Sequence, residues 1–505
     1  MANSLYDRLF GIHAGKATPF LHLPDGQVLT HAAFLDMAAR LANALMGLEL
    51  EPGDRVAVQV EKSPETLALY AACAQTGLIF LPLNTAYTTT ELQYFIENSG
   101  AKLVVCDTSN EAGLTPIAQA QNAHLATLNA DGSGSLMRRA LGMLPAFEPV
   151  SRSEDDLAAF LYTSGTTGRS KGAMLTQANL LSNAETLVQE WRFTKDDVLL
   201  HALPIFHTHG LFVATNVVLA SSGSMIFLPK FDLDNILRLM PEATSMMGVP
   251  TFYTRLLGDD RFTGDLARHM RLFISGSAPL LAETHEQFVA RTGHRILERY
   301  GMTETNMNTS NPYDGERRAG TVGFPLPDVE LKVTDPETGA PLPQGEIGMI
   351  EVRGPNVFKG YWQMPEKTAA ELREDGFFIT GDLGRVDEDG YVHIVGRGKD
   401  LIISGGYNIY PKEIELLLDD QPGVLESAVI GVPHPDFGET VLGILVPQPG
   451  QALDLDAILA RVQDQLARFK HPRKLIVLDE LPRNTMGKVQ KNALRETYKD
   501  SFTQG

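Results

Sequence analysis

Residues 55–84, RVAVQVEKSPETLALYAACAQTGLIFLPLN, constrain the architecture more tightly than any other stretch of the chain. RVAVQV alternates and is β-branched, as a strand does. Ser63-Pro64 opens a helix, with proline where its missing N–H costs nothing. ETLALYAACAQT follows as an Ala-rich helix with a wide apolar surface, and Gly77 stands where a left-handed residue would end it. LIFLPLN is then a second buried strand. Strand, helix and strand in this order predict a crossover between parallel neighbours. The theme recurs in KLVVCD (102–107), MIFLPKF (225–231), TSMMGVP (244–250) and RLFISGSAP (271–279). The expected class is α/β, with layers of helix on largely parallel sheet.

The texture changes after residue 320. VELKVTDPETG, GEIGMIEVRG and GRVDEDGYVHIVGR are short strands with tight turns, the last a hairpin around Glu388-Asp389-Gly390. Beyond Arg397 comes an α+β tail: LIISGG, the helix PKEIELLLDD, strands SAVIGVP and LGILVP, the helix DLDAILARVQDQLARF, and KLIVLDELP. A boundary is expected between residues 1–396 and 397–505, with a hinge near 397–400.

With 505 residues, 43% hydrophobic and 21% charged, the chain has ample material for a globular core. Its net charge of −19, from 43 basic and 62 acidic residues, argues against nucleic acid or an anionic membrane as the main partner. It leaves room for a local basic pocket around a phosphorylated ligand. Two cysteines, Cys73 and Cys106, supply neither a disulfide framework nor a Cys-type zinc site. The N-terminal sequence lacks a signal-peptide pattern, and no run approaches the ~20 apolar residues of a membrane span, so a cytoplasmic location is expected.

FLYTSGTTGRSKGAMLT (160–176) places hydroxyls, glycines and positive charge between two apolar runs. Glycine lets backbone N–H groups approach an anion, hydroxyls donate further bonds, and Lys or Arg supplies charge. The stretch is not a Walker loop, because Gly165 and Gly168 are three apart and Lys171 is followed by Gly172.

YTSGTTGRSKGAM resembles the phosphate loop of the adenylate-forming superfamily of acyl-CoA synthetases, luciferases and peptide-synthetase adenylation domains. ERYGMTET (298–305) resembles its adenine- and magnesium-binding motif. FITGDLGRVDEDGYVHIVGRGKDLIISGGYNIYPKEIE resembles its ribose, hinge and CoA-loop motifs, and LPRNTMGKVQK its C-terminal motif. The likeness runs in the family's order from about residue 30 to 495. It implies a large N-terminal domain of layered α/β sheets with a β-barrel-like subdomain, and a small mobile α+β C-terminal domain.

It also implies a chemistry. A carboxylate is a poor electrophile, and transferring AMP from ATP onto it creates a good leaving group as pyrophosphate departs. The thiol of coenzyme A then displaces AMP. On this resemblance Thr163, Ser164, Gly165, Thr166, Thr167, Gly168 and Lys171 hold the β- and γ-phosphates. Glu304 helps to hold Mg²⁺, and Thr303 touches the α-phosphate. Tyr300 stacks on adenine, with Ser277, Ala278, Pro279, Glu298, Gly301 and Met302 around the nucleotide. Asp382 accepts from the ribose hydroxyls, Arg397 reaches the ribose or phosphate, and Lys399 aligns with the hinge residue. Lys488 is the catalytic lysine and, as in relatives, a target for an acetyltransferase and a deacetylase. Ser404, Gly405 and Gly406 form the lip of the pantetheine tunnel; a plain turn is the alternative there.

In LPIFHTHGLF, His207 falls where the family keeps an aromatic or His residue at the mouth of the acyl pocket. A metal site with His209 and His201 lacks further ligands at suitable spacing. The stretch has no Asp to pair with an α-amine, which argues against an amino-acid substrate. Arg299, inside ERYGMTE, and Arg255, after GVPTFYT, would suit a second carboxylate if both face the pocket. Both could equally be solvated surface residues. A short dicarboxylate follows from the pocket reading, with Met302 as a wall, and the resemblance is closest to the bacterial malonyl-CoA synthetases. Methylmalonate is then a secondary substrate, its extra methyl worth only ~1–3 kcal/mol. Oxalate or a small monocarboxylate, a domain that loads a carrier protein, and an ATP sensor without turnover remain alternatives.

Overall fold

The 55–84 unit forms as its sequence dictates. Strand Arg55–Gln59 leads into helix Pro64–Thr76, whose Ser63 side chain accepts from Thr66 N at 3.2 Å. Gly77, at φ 73°, ends the helix, and strand Ile79–Pro82 returns parallel to the first. The computed structural model describes residues 3–163, 170–404, 407–435, 437–466, 468–484 and 487–502.

Its contacts divide the chain into two compact units, residues 1–330 with 352–378, and residues 331–351 with 379–505. The first holds two α/β layers. One is a six-stranded sheet in the order 124–127, 103–106, 55–59, 79–82, 157–163, 171–176. All neighbours are parallel except the last two strands, which pair antiparallel across the phosphate-loop sequence. The other is a nine-stranded sheet with a parallel centre in the order 297–302, 272–275, 245–248, 198–201, 224–227, 19–22. Its strands Val198–His201, Ser224–Phe227 and Ser245–Gly248 switch direction of progress at the first of the three. The crevice beyond the C-terminal ends of such a switch is where open α/β sheets bind ligands.

The second unit holds a five-stranded sheet and a four-stranded sheet. The four-stranded sheet follows sequence order, with Phe378–Val386 and Val392–Arg397 as the antiparallel hairpin read around Gly390. This four-stranded sheet stands in the stretch where the short strands of a β-barrel-like subdomain are expected. The boundary expected at 396/397 falls inside this unit, since the hairpin groups with the residues that follow it. No helix among the described residues is long and apolar enough to cross a membrane.

A stacked pair of buried histidines ties the N-terminal segment to the nine-stranded layer. The rings of His13 and His31 lie 4.1 Å apart, bonded through Nε2 to Leu219 O and Gly223 O. Burial pulls both pKa values from 6.5 to about 4, and the neighbouring ring adds to the fall at His13. The unfolded chain therefore binds protons that the folded one refuses as pH drops through that interval. Stability is expected to decline between pH ~6.5 and ~4, by roughly 3 kcal/mol for each ring once below it. Denaturant melts of the wild type and of a His13→Gln, His31→Gln variant test this. An equally steep acid loss in both would assign the lability elsewhere.

Candidate active site

The strands Leu157–Thr163 and Lys171–Thr176 pair so that Thr163 faces Lys171 across the ladder. Ser164, Gly165, Thr166, Thr167 and Gly168 lie outside the described residues. The hairpin of strands Leu297–Met302 and Asn306–Ser310 brings Glu304 to the same place. Thr163 Oγ1 donates to Glu304 Oε1 at 3.3 Å. Two residues that sequence reasoning missed complete the cluster. The Tyr361 hydroxyl lies 3.0 Å from Glu304 Oε1 and 2.7 Å from Glu371 Oε2. Lys171 Nζ donates to the Tyr361 oxygen at 3.2 Å, pairs with Glu371 Oε2 at 3.2 Å, and stands 4.2 Å from the centre of the tyrosine ring. Burial raises the Tyr361 pKa, and the carboxylates of Glu304 and Glu371 raise it further, so the phenol stays protonated. The loop lysine and the buried carboxylate thus share one hydroxyl.

A second group gathers beyond the C-terminal ends of the nine-stranded sheet. Strand Leu272–Ser275 runs into Gly276, Ser277, Ala278 and Pro279. Ser277 takes φ +71°, a left-handed conformation uncommon for a non-glycine residue and often found at functional sites. His209 Nδ1 lies 3.2 Å from Ser277 Oγ, and its Nε2 has no partner among the described residues. Burial, then Arg299, holds the pKa of His209 well below the usual value, so the ring is neutral. Arg299 is 4% exposed. A Cβ at Gly276 would stand 2.3 Å from its guanidinium, so the glycine leaves room for the side chain as it lies. Nε and Nη2 of Arg299 have no hydrogen-bond partner among the described residues, and burial pulls its pKa down to about 9. His207 is half-buried and its Nδ1 accepts from His209 N at 3.4 Å.

The other arginine does not join this group. Arg255 stands on the exposed face of helix Pro250–Leu257, 5.3 Å from the centre of the Phe231 ring, because the apolar stripe of that short helix is Phe252, Tyr253 and Leu256. The pocket role expected of it gives way to its solvated alternative. Glu298 is buried against His285 Nδ1 at 3.3 Å and accepts from Gly320 N at 3.4 Å. Tyr300, Gly301, Met302 and Thr303 are half-buried along the same hairpin.

In the second unit, Asp382 and Arg397 face each other across the hairpin ladder, with Oδ1 2.8 Å from Nε. Lys488 is exposed as a residue, yet its ammonium end loses water, and this together with the Arg397 charge lowers its pKa to about 8; Asp382 opposes the shift. Lys488, Asp382 and Arg397 therefore share one electrostatic neighbourhood. Lys399 lies in the single turn Gly398–Asp400 after the hairpin. Ser404 ends strand Ile402–Ser404, paired with Gly438, and Gly405 and Gly406 lie outside the described residues.

Comparison with known proteins identifies the family. The model of the AMP-binding enzyme family matches residues 13–362, and that of the AMP-binding enzyme C-terminal domain matches residues 413–488. The structure of ATP-bound MatB from Rhodopseudomonas palustris is 60% identical, with a TM-score of 0.98 over 99% of this chain and 100% of that one. A feruloyl-CoA synthase from an Amycolatopsis species is 37% identical over 483 residues, 94% of either chain. A malonate–CoA ligase from Arabidopsis thaliana is 36% identical over 481 residues, 89% of this chain and 78% of that one. Matched by both family models and by a solved relative over nearly its whole length, the chain belongs to the AMP-binding enzyme family, as an AMP-forming acid–thiol ligase.

Proposed function

We propose that this chain joins malonate to coenzyme A through malonyl-AMP, and that it accepts methylmalonate as a secondary substrate. One observation supports malonate above all: Arg299 is a buried guanidinium with two nitrogens unpartnered among the described residues. A buried cation without a counter-ion is costly, and a carboxylate that it can bind in two places removes the cost. The acid's second carboxylate fits there, beside neutral His209 and Ser277, while its first faces the nucleotide past Met302 and Thr303. The malonate–CoA ligase among the relatives agrees with this reading.

In the first step a carboxylate oxygen attacks the α-phosphorus of ATP, and the bond to pyrophosphate breaks. Lys171 and the phosphate loop hold the departing phosphates. Thr303 and Lys488 stabilise charge on the α-phosphate, Tyr300 with residues 277–279 holds adenine, and Asp382 with Arg397 holds the ribose. In the second step the CoA thiolate attacks the acyl carbon and AMP leaves with the bonding pair. Ser404, Gly405 and Gly406 border the thiol's path, His207 stands at the pocket mouth, and residues 397–400 serve as the hinge between domains 1–396 and 397–505.

Glu304 fits Mg²⁺. It is 5% exposed, and among the described residues it is met by two hydroxyls and by no Lys or Arg. Magnesium is commonly held by one or two carboxylates together with substrate phosphates and water. Bound there, it would neutralise phosphate charge, with Glu304 and Thr163 as the residues that hold it. We also infer a cytoplasmic location.

The test is release of AMP with free CoA across a panel of acids. Malonate is expected to exceed acetate, butyrate and octanoate in kcat/KM by a wide margin, with methylmalonate second. Preference for octanoate would reject the dicarboxylate reading, and adenylation without consumption of CoA would point to a carrier-loading domain.

A further inference from the structure

Lys62 follows strand Arg55–Gln59 and is 8% exposed, yet no carboxylate bonds it among the described residues. Its nitrogen donates to three acceptors at the end of strand Val198–His201: His201 Nδ1 at 2.8 Å, His201 O at 2.9 Å and Leu203 O at 2.9 Å. It also stands 4.3 Å from the centre of the Phe227 ring. Three acceptors match the three N–H bonds of an ammonium, and they offset a burial that pulls the lysine pKa well down.

The far side of the His201 ring fixes its proton. Nε2 lies 2.8 Å from Gly210 O, and a carbonyl only accepts, so Nε2 bears the hydrogen. Nδ1 of the neutral ring is then a bare acceptor, as Lys62 requires. Thr215 Oγ1 donates to the same carbonyl at 2.9 Å. Gly210 sits so tightly that a Cβ would stand 2.0 Å from Pro204 O. It is the second residue of the wide-turn helix His209–Thr215, whose first residue is the His209 that faces Ser277 beside Arg299.

We infer that Lys62 is a positioning residue for the acid pocket: through the Nε2–H form of His201 it holds the first turn of the 209–215 helix, and with it the His209 ring, against Ser277. The inference rests on the proposed malonate site and names a part of it that contacts no substrate. The phosphate-side cluster of Thr163, Lys171, Glu304, Tyr361 and Glu371 shares none of these bonds. Loss of Lys62 therefore acts more on the acid than on ATP, whose phosphates bind away from these bonds and whose adenine Ser277 meets only as one of several residues.

Three variants test it: Lys62→Met, His201→Gln and His201→Asn. Gln keeps an amide donor near the Nε2 position, whereas Asn keeps only an acceptor near Nδ1. Malonate KM is expected to rise ~10-fold or more in Lys62→Met, with ATP affinity, titrated without acid, within ~2-fold of wild type. KM should increase in the order wild type, Gln, Asn. ¹⁵N-histidine spectra, with the His201 signal assigned by its absence from His201→Gln, should show that ring protonated at Nε2 alone in the wild type and altered in Lys62→Met. An unchanged malonate KM in a folded Lys62→Met enzyme, or equal values for Gln and Asn, overturns the inference. If Lys62→Met gives no cooperative melt, the Gln and Asn pair decides. Should the wild type prefer another acid, the malonate reading fails by itself, and the same ratios are measured with that acid.

Discussion

Replacing Lys488 by alanine is expected to slow malonyl-AMP formation by roughly 10²–10³-fold, the usual cost of removing one preorganised donor from a developing charge. Thioester formation from preformed malonyl-AMP should change far less, because the hinge proposed at 397–400 takes Lys488 away from the nucleotide before that step. The ammonium lies in the field of Asp382 and Arg397, with its pKa lowered to about 8. Below that value it is charged and can donate; as pH rises through it the charge is lost. Adenylation in the free enzyme should therefore fall above pH ~8, and the alanine variant should lack that limb. Acetylation removes the same charge, so acetylated enzyme should show the same split and recover on deacetylation. Lys399→Pro, which fixes φ in the proposed hinge, should give the converse, with adenylation kept and thioester formation lost. The measurement is pyrophosphate exchange for the first half-reaction and CoA consumption with synthetic adenylate for the second. Equal loss of both in Lys488→Ala would mean that the lysine serves both steps.

What could be read from the sequence was local. Ser63-Pro64, the alternation of RVAVQV and the glycine at 77 act within a turn or a strand of themselves, and each element formed within a residue or so of its signal. The hairpin around Gly390 was legible for the same reason. The helix read over DLDAILARVQDQLARF is assigned only from Leu455 to Gln463. The site itself divides along the same line. Thr163, Lys171 and Glu304 stand in motifs, and the fold brings them together. Tyr361 and Glu371 stand in no motif, and they meet Lys171 only because a segment some 190 residues on crosses the end of its strand. His209 was visible only as one of three nearby histidines. Its importance comes from Ser277 and Arg299, 68 and 90 residues away, and no local pattern encodes that meeting. Arg255 illustrates the reverse case. Its position in the chain suggested the pocket, but three apolar neighbours on a two-turn helix took the buried face.

Arg299 offers the sharpest separation between function and stability. Among the described residues it is buried without a counter-ion, and a buried guanidinium costs several kcal/mol in lost hydration unless something compensates it. Replacing it by methionine, which fills similar apolar space, removes that cost. The variant is therefore expected to melt at or above the wild-type temperature, an outcome unusual for substitution of a buried residue. Malonate, by contrast, loses the partner of its second carboxylate and must bury that charge unpaired. The expected loss in kcat/KM is ~2–5 kcal/mol, or roughly 30- to 5,000-fold. Acetate and butyrate carry no second charge, so they should lose little or gain. Arg299→Lys should rescue poorly, because a point charge cannot reproduce a planar two-point contact. Thermal melts and kcat/KM for the three acids, measured on one preparation of each variant, decide the matter. A variant that keeps malonate activity, or that loses stability and all three activities together, would show that Arg299 supports the fold and does not read the acid.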